Sequence, residues 1–200
     1  DPLSSVFLLP ILAISALASI YAVGYLKDRS GGQLQQAIFF FHVLVISMCV
    51  VVTAKNAILF LIAWETMAIS SFFLVMLDGH RSDVRRAGWM YLVATHIGTA
   101  FLLALFAWMG HAAGSFDFDR WRMMPDVGTQ TLSIWFILAV VGFGTKAGFW
   151  PLHVWLPEAH PAAPSHVSAV MSGVMIKTGI YGLIRIVTLL GPPPLWWSAT

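Results

Sequence analysis

Residues 56–77 read NAILFLIAWETMAISSFFLVML, an apolar run long enough to cross a bilayer, and its only charge is Glu65 near the middle. A span of the hydrocarbon core needs roughly 20 apolar residues as a helix. Five further stretches of this kind flank it, at about 4–26, 37–54, 87–109, 131–155 and 166–190. Charge and helix breakers collect between them, in KDRSGGQLQQ, TAKN, DGHRSDVRR, GSFDFDRWRMMPD and PEAHPAAP. Composition agrees: 58% of the residues are hydrophobic and 10% charged, against about 25% charged in an ordinary soluble domain. A soluble fold of this size could not hide that much apolar surface. The expected fold class is all-α, a polytopic transmembrane helical bundle forming a single domain over 1–200.

Other function classes lose ground on the same grounds. A net charge of +2, dispersed along the chain, does not make a nucleic-acid surface. The single cysteine, Cys49, supports neither a disulfide framework nor a thiolate metal site and reads as an apolar filler. Lys27 and Arg29 follow the first apolar run, the reverse of a secretory signal. The chain begins at Asp1 and stops in GPPPLWWSAT, so it is expected to be a piece of a longer protein or one product of a split gene. Loops 27–36 and 78–86 carry Lys27, Arg29, Arg81, Arg85 and Arg86. Those at 53–56 and 110–130 carry Lys55, Arg120 and Arg122. The excess on the first face predicts that it is cytoplasmic.

The fifth apolar segment departs from the rest. Residues 142–164 read GFGTKAGFWPLHVWLPEAHPAAP, and their glycines and prolines are poor material for a continuous helix. The pattern predicts an interruption between 144 and 151. Backbone groups freed at membrane depth need protein or water partners, and transporters use such broken helices to bind ions. A proline kink packed against a neighbour through the small residues of GTKAG is the competing reading.

Three charges lie inside spans: Glu65, Lys146 beside the break, and Lys177 in MSGVMIKTGIYGLI. An ionised side chain at a helix centre costs about 2.5–3.5 kcal/mol on insertion scales, so the three are expected to face one another or water within the bundle. Opposite charge stabilises both ionised forms and desolvation favours both neutral ones. A lysine in that balance can accept and release a proton, as arginine cannot. Glu65 and Lys146 are expected to form a direct or water-bridged pair, with Lys177 as the onward carrier. A static bridge locking helices together is the alternative. His96, within YLVATHIGTAF, and His153, His160 and His166, around the proline-rich connection, could extend the path, or be hydrogen-bonded packing residues. His42, His80 and His111 read as helix-end and loop residues.

WETMAISSFFLV, RRAGWMYLVATHIGTAF and GTKAGFWPLHVWLPEAHPAAPSHVSAVMSGVMIKTGIYGLIR together resemble the antiporter-like proton-translocating subunits. That family includes the large membrane subunits of NADH–quinone oxidoreductase, of multisubunit cation/proton antiporters and of membrane-bound hydrogenases. AHPAAPSHVSA and GPPPLWW look most like the hydrogenase branch, the membrane subunits of formate hydrogenlyase-type complexes. The resemblance implies about fourteen helices in two inverted five-helix repeats. This chain would be the third through eighth, with the first repeat and one broken helix. It implies that Glu65 pairs with Lys146, that Lys177 carries the proton onward, and that His160 is the histidine after the broken helix. Some relatives hold Arg and Asp where this chain has His96 and Thr99, which draws attention to His96. A multi-pass protein of the prokaryotic cytoplasmic membrane is implied, with other membrane subunits and a soluble redox arm as partners. No quinone, iron–sulfur, nickel or nucleotide motif is visible, so redox chemistry would belong to those partners and no cofactor or metal is expected on this chain. A cation/proton antiporter subunit and a non-pumping membrane scaffold are the alternative functions. Mid-membrane charge gives a scaffold no advantage.

Overall fold

The computed structural model describes residues 1–29, 31–124 and 127–191. Six spans cross it: α1 (Pro2–Tyr25), α2 (Gly32–Thr53), α3 (Ala57–Val75) with a 3-10 turn (Met76–Asp78), α4 (Ser82–Ala113), α6 (Thr129–Ala147), and a last span over Ser165–Leu190. Two short helices interrupt the connections, α5 (Phe118–Trp121) and α7 (Leu156–Ala162). The last span is composite, with α8 (Ser165–Val170), a π-helical turn (Met171–Met175) and α9 (Ile176–Leu190). The expected spans all appear, with shifted ends. GQLQQ begins α2, and α4 takes in DVRR at one end and GHAA at the other. At about 1.5 Å per residue the 32 residues of α4 exceed a hydrocarbon core of about 30 Å, so its polar ends project beyond it. Of GPPPLWW, residues 192–197 lie outside the described residues.

Helix boundaries follow local chemistry. The Asn56 side chain accepts from the amides of Ile58 (2.9 Å) and Leu59 (3.4 Å) to cap α3. Its amide nitrogen donates to Asp117 at 2.8 Å, tying the 54–57 loop to the loop before α5. At the opposite end Arg29 and Asp78 meet at 2.7 Å, closing the α1–α2 turn onto the end of α3. On the Asn56 side Arg185 donates to Asp1 (2.8 Å), Ser4 Oγ (3.0 Å) and Tyr181 Oη (2.7 Å), while Tyr181 donates to the Val52 carbonyl at 2.8 Å. Those bonds join α1, α2 and α9.

The break in the fifth segment falls where the glycines and prolines place it. Helix α6 stops at Ala147 rather than continuing to 155, because Gly148 adopts φ +76°. A side chain would strain that left-handed backbone. The amide of Phe149 turns back to the Gly144 carbonyl at 2.9 Å. The freed carbonyl of Thr145 accepts from Trp155 Nε1 at 2.7 Å, supplying the protein partner that backbone at this depth requires.

Helix α6 packs between α4 and α9. Its contacts are close because small residues face it: Gly98 of α4 lies against Gly142 and Thr145, and Gly179 and Gly182 of α9 lie against Phe143 and Ala147. Around them packs an aromatic cluster of Phe60, Trp64, Phe106, Phe118 and Phe143, with ring centroids 5.4–6.4 Å apart. The outward faces are apolar, as on α1, where Val6, Leu9, Leu17, Ile20 and Val23 are exposed.

Candidate proton-transfer site

Lys146 lies in the last turn of α6, just before the Gly148 break, and is 2% exposed. Its Nζ donates to Tyr91 Oη at 3.0 Å. The ammonium lies 5.3 Å from the Tyr91 ring centroid and 5.7 Å from that of Trp64. A desolvated cation–π contact contributes up to about 2 kcal/mol. The Trp64 ring and the Tyr91 hydroxyl together therefore offset part of the roughly 2.5–3.5 kcal/mol that a mid-membrane charge costs. Tyr91 is itself buried, and its hydroxyl lies 3.9 Å from Met175 Sδ in the π turn, which accepts from Ser71 Oγ at 3.1 Å. Side chains of α3, α4, α6 and the last span thus converge on one buried phenol. Sequence reasoning missed Tyr91. Its signal was a hydroxyl in the middle of an apolar span, which needs a partner when buried.

Of the expected direct or water-bridged pair of Glu65 with Lys146, the direct form is not what the side chains adopt. Among the described residues Glu65 meets His96, with Oε2 3.2 Å from Nε2, while Lys146 bonds Tyr91. The reason lies in helix geometry. Successive residues of an α-helix point about 100° apart. Trp64 is buried against α6, with its ring 5.4 Å from that of Phe143 and over Lys146. Glu65, the next residue, therefore turns toward α4 and the groove beside it. Ile62, Thr66 and Leu103 help line this groove, of about 580 Å³. Glu65 Oε1 is buried with no hydrogen-bond partner among the described residues.

The other expected site residues lie apart from this centre. Lys177 is exposed on the surface of the chain, and its Nζ donates to the Ser172 carbonyl in the π turn at 2.9 Å. It therefore does not face Glu65 or Lys146 inside the bundle. Its neighbour Thr178 takes the buried position instead, 0% exposed and bonded to the Met175 carbonyl at 2.7 Å. The π turn adds a residue to the helical repeat just before Lys177, and such turns are not visible in hydropathy. His160 contacts Ser168 Oγ through Nδ1 at 2.6 Å, fastening α7 to the start of the last span. His166 is buried between the Tyr25 and Phe41 rings, 5.6 Å from each, and its Nδ1 has no partner among the described residues. Neither histidine is hydrogen-bonded to Glu65, His96 or Lys146.

Comparison with known proteins places this geometry in context. Residues 54–199 match the family model described as NADH:quinone oxidoreductase/Mrp antiporter, TM. The chain is 38% identical to Hydrogenase-4 component B of Escherichia coli over 99% of its own length and 30% of that protein. It is 28% identical to Formate hydrogenlyase subunit 3 of the same organism, covering 99% of this chain and 31% of the relative. Among solved structures, a chain of the Mrp complex from Dietzia sp. DQ12-45-1b superposes with a TM-score of 0.87 at 28% identity, over 98% of this chain and 22% of that one. The chain spans about a third of the length of the curated relatives it matches. With the fold, the interrupted fifth span and the family match in agreement, this chain belongs to the NADH:quinone oxidoreductase/Mrp antiporter transmembrane family.

Proposed function

We propose that this chain is part of the proton-translocating membrane subunit of a respiratory-type oxidoreductase, of the membrane-bound hydrogenase kind. The observation that carries the reading is Lys146, a buried ammonium at a helix break, held by the Trp64 ring and the Tyr91 phenol. Among the described residues no carboxylate is within ion-pair distance of Lys146. Tyr91 can accept from a protonated Lys146 or donate to a neutral one, so the site tolerates both states that proton transfer requires. The similarity to Hydrogenase-4 component B favours the hydrogenase branch. The partners are then other membrane subunits and a soluble arm that carries the redox centres. The membrane is the prokaryotic cytoplasmic membrane, with the 27–36 and 78–86 loops inside. His160 and His166 stand near the start of the last span, where they can pass protons toward it. A cation/proton antiporter subunit is the second reading, favoured by the likeness to a chain of the Mrp complex.

Lys177 is the onward carrier in this proposal. Its exposed position suits a residue that hands protons to a part of the protein beyond these residues, since the chain covers only 30% of its hydrogenase relative. Arginine in its place keeps the charge and holds its proton. In the complete complex reconstituted into vesicles, Lys177→Arg is expected to leave assembly and redox turnover intact and to suppress proton movement about tenfold or more, within the range of positioned proton-transfer groups. Unchanged proton movement would remove Lys177 from the path. Sodium dependence of the wild-type activity would favour the antiporter reading.

A further inference from the structure

Helices α1 and α2 enclose a cavity of about 330 Å³ beside the turn that joins them. Ligand sites commonly measure about 300–1,000 Å³. Ala22, Val23 and Leu26 line it from the α1 side, and Leu34, Ala37 and Phe41 from α2. On α2 the lining runs from Leu34 to His42. At about 1.5 Å per residue the cavity therefore reaches about 12 Å into the membrane from the turn. Its walls are apolar over that length, as an acyl chain requires.

Two polar side chains stand in this apolar setting without partners. His166 lines the cavity from the start of the last span and is 2% exposed. Its ring is held 5.6 Å from those of Tyr25 and Phe41, and its Nδ1 has no hydrogen-bond partner among the described residues. Buried ring nitrogens are normally bonded. Lys27 lines the turn end of the same cavity and is exposed. Among the described residues no carboxylate is within ion-pair distance of it. The nearby Arg29 is committed to Asp78 at 2.7 Å, which leaves Lys27 as the cation that faces the cavity.

We propose that the α1–α2 cavity binds one anionic phospholipid from the leaflet on the side of the 27–36 loop. An apolar helix packed there would cover the walls but leave the Lys27 charge and the His166 nitrogen unmet. A small anion would meet Lys27 but leave the apolar depth unfilled. An anionic lipid satisfies all three features. Its phosphate sits at Lys27, an ester carbonyl accepts from His166 Nδ1–H, and an acyl chain follows the walls toward His42. Basic pockets between membrane helices recognise anionic headgroups in this way. The bound lipid joins α1 and α2 to the start of the last span through His166. This binding is independent of whether the subunit moves protons.

Photolabelling of the complete complex in proteoliposomes tests the site. The probes are phosphatidylglycerol with a diazirine near the carboxyl end of one acyl chain, and phosphatidylcholine with the same chains. Peptide mass spectrometry maps the adducts. Phosphatidylglycerol is expected to label residues 19–42, and Lys27→Gln to lower that labelling about fivefold, the equivalent of about 1 kcal/mol for one basic residue at an anionic surface. His166→Phe keeps a ring between Tyr25 and Phe41 and removes the nitrogen. It is expected to lower labelling of the cavity about two- to tenfold, the scale of one hydrogen bond. Labelling of the exposed Val6 and Leu9 on α1 stays constant in both variants, which separates loss of the site from general disruption. Equal labelling of the cavity by the two lipids would overturn the proposal, as would wild-type labelling in both variants. An unlabelled cavity in the wild-type complex would also overturn it, and would mean that protein covers this face.

Discussion

Lys146→Met is expected to abolish proton movement while leaving the protein as stable as the wild type or more so. Methionine follows the path of the lysine side chain and fills the space between the Trp64 and Tyr91 rings, where a thioether also packs well. It removes a buried ammonium whose desolvation is compensated by aromatic faces and one hydroxyl rather than by an ion pair. Exchanging buried charge for apolar bulk is often neutral or stabilising. Proton transfer has no such substitute. The expected loss is about 100-fold or more, in the range that positioned acid–base groups contribute. Proton uptake by vesicles and the thermal midpoint of the purified complex, measured together, check both halves. A static lock at Lys146 would give the opposite pair of results, lowered stability with proton movement retained.

Gly179→Leu is expected to prevent assembly of the bundle. A Cβ at Gly179 would stand 2.7 Å from the Phe143 carbonyl oxygen, 2.8 Å from the Ala147 amide nitrogen and 3.0 Å from Ala147 Cβ. Two of those atoms are backbone and cannot rotate away, so α9 and α6 must separate. Overpacking in well-packed interiors costs about 1–3 kcal/mol, and a contact against the backbone of a neighbouring helix belongs at the upper end. Any protein that survives carries a displaced Ala147, the neighbour of Lys146, and is expected to show impaired proton movement as well. Detergent-solubilised yield and size-exclusion behaviour measure the effect. A monodisperse complex at wild-type yield would contradict the close α6–α9 approach.

Much of this architecture is legible in the chain because the signals are long or local. Each span is an apolar run, and hydropathy integrates over all of it, so the six spans emerge with only their ends displaced. The break after Ala147 is written locally, by Gly148 and Pro151, and the structure ends α6 there. The site is harder to read because it depends on azimuth. Glu65 and Lys146 are both mid-membrane charges, and the cost of lipid argues that they meet. Which way Glu65 points, however, is decided by Trp64, whose bulk claims the inward face and turns the next residue toward His96. Lys177 escaped for a related reason. A π turn over Met171–Met175 resets the faces of the last span and leaves Thr178 inside and Lys177 outside. Tyr91, the partner of Lys146, carries no charge to announce it.

The most direct test of proton passage through this chain is Glu65→Gln in the complete complex, read as protons moved per redox turnover in sealed vesicles. Glutamine keeps the size of the side chain and a hydrogen bond to His96, so the helices stay packed, but it cannot be ionised. The account predicts an assembled complex with redox turnover near the wild-type rate and proton movement reduced about tenfold or more, as for the loss of a positioned proton-transfer group. An unchanged ratio of protons to turnovers, with the variant confirmed in the assembled complex, would contradict it.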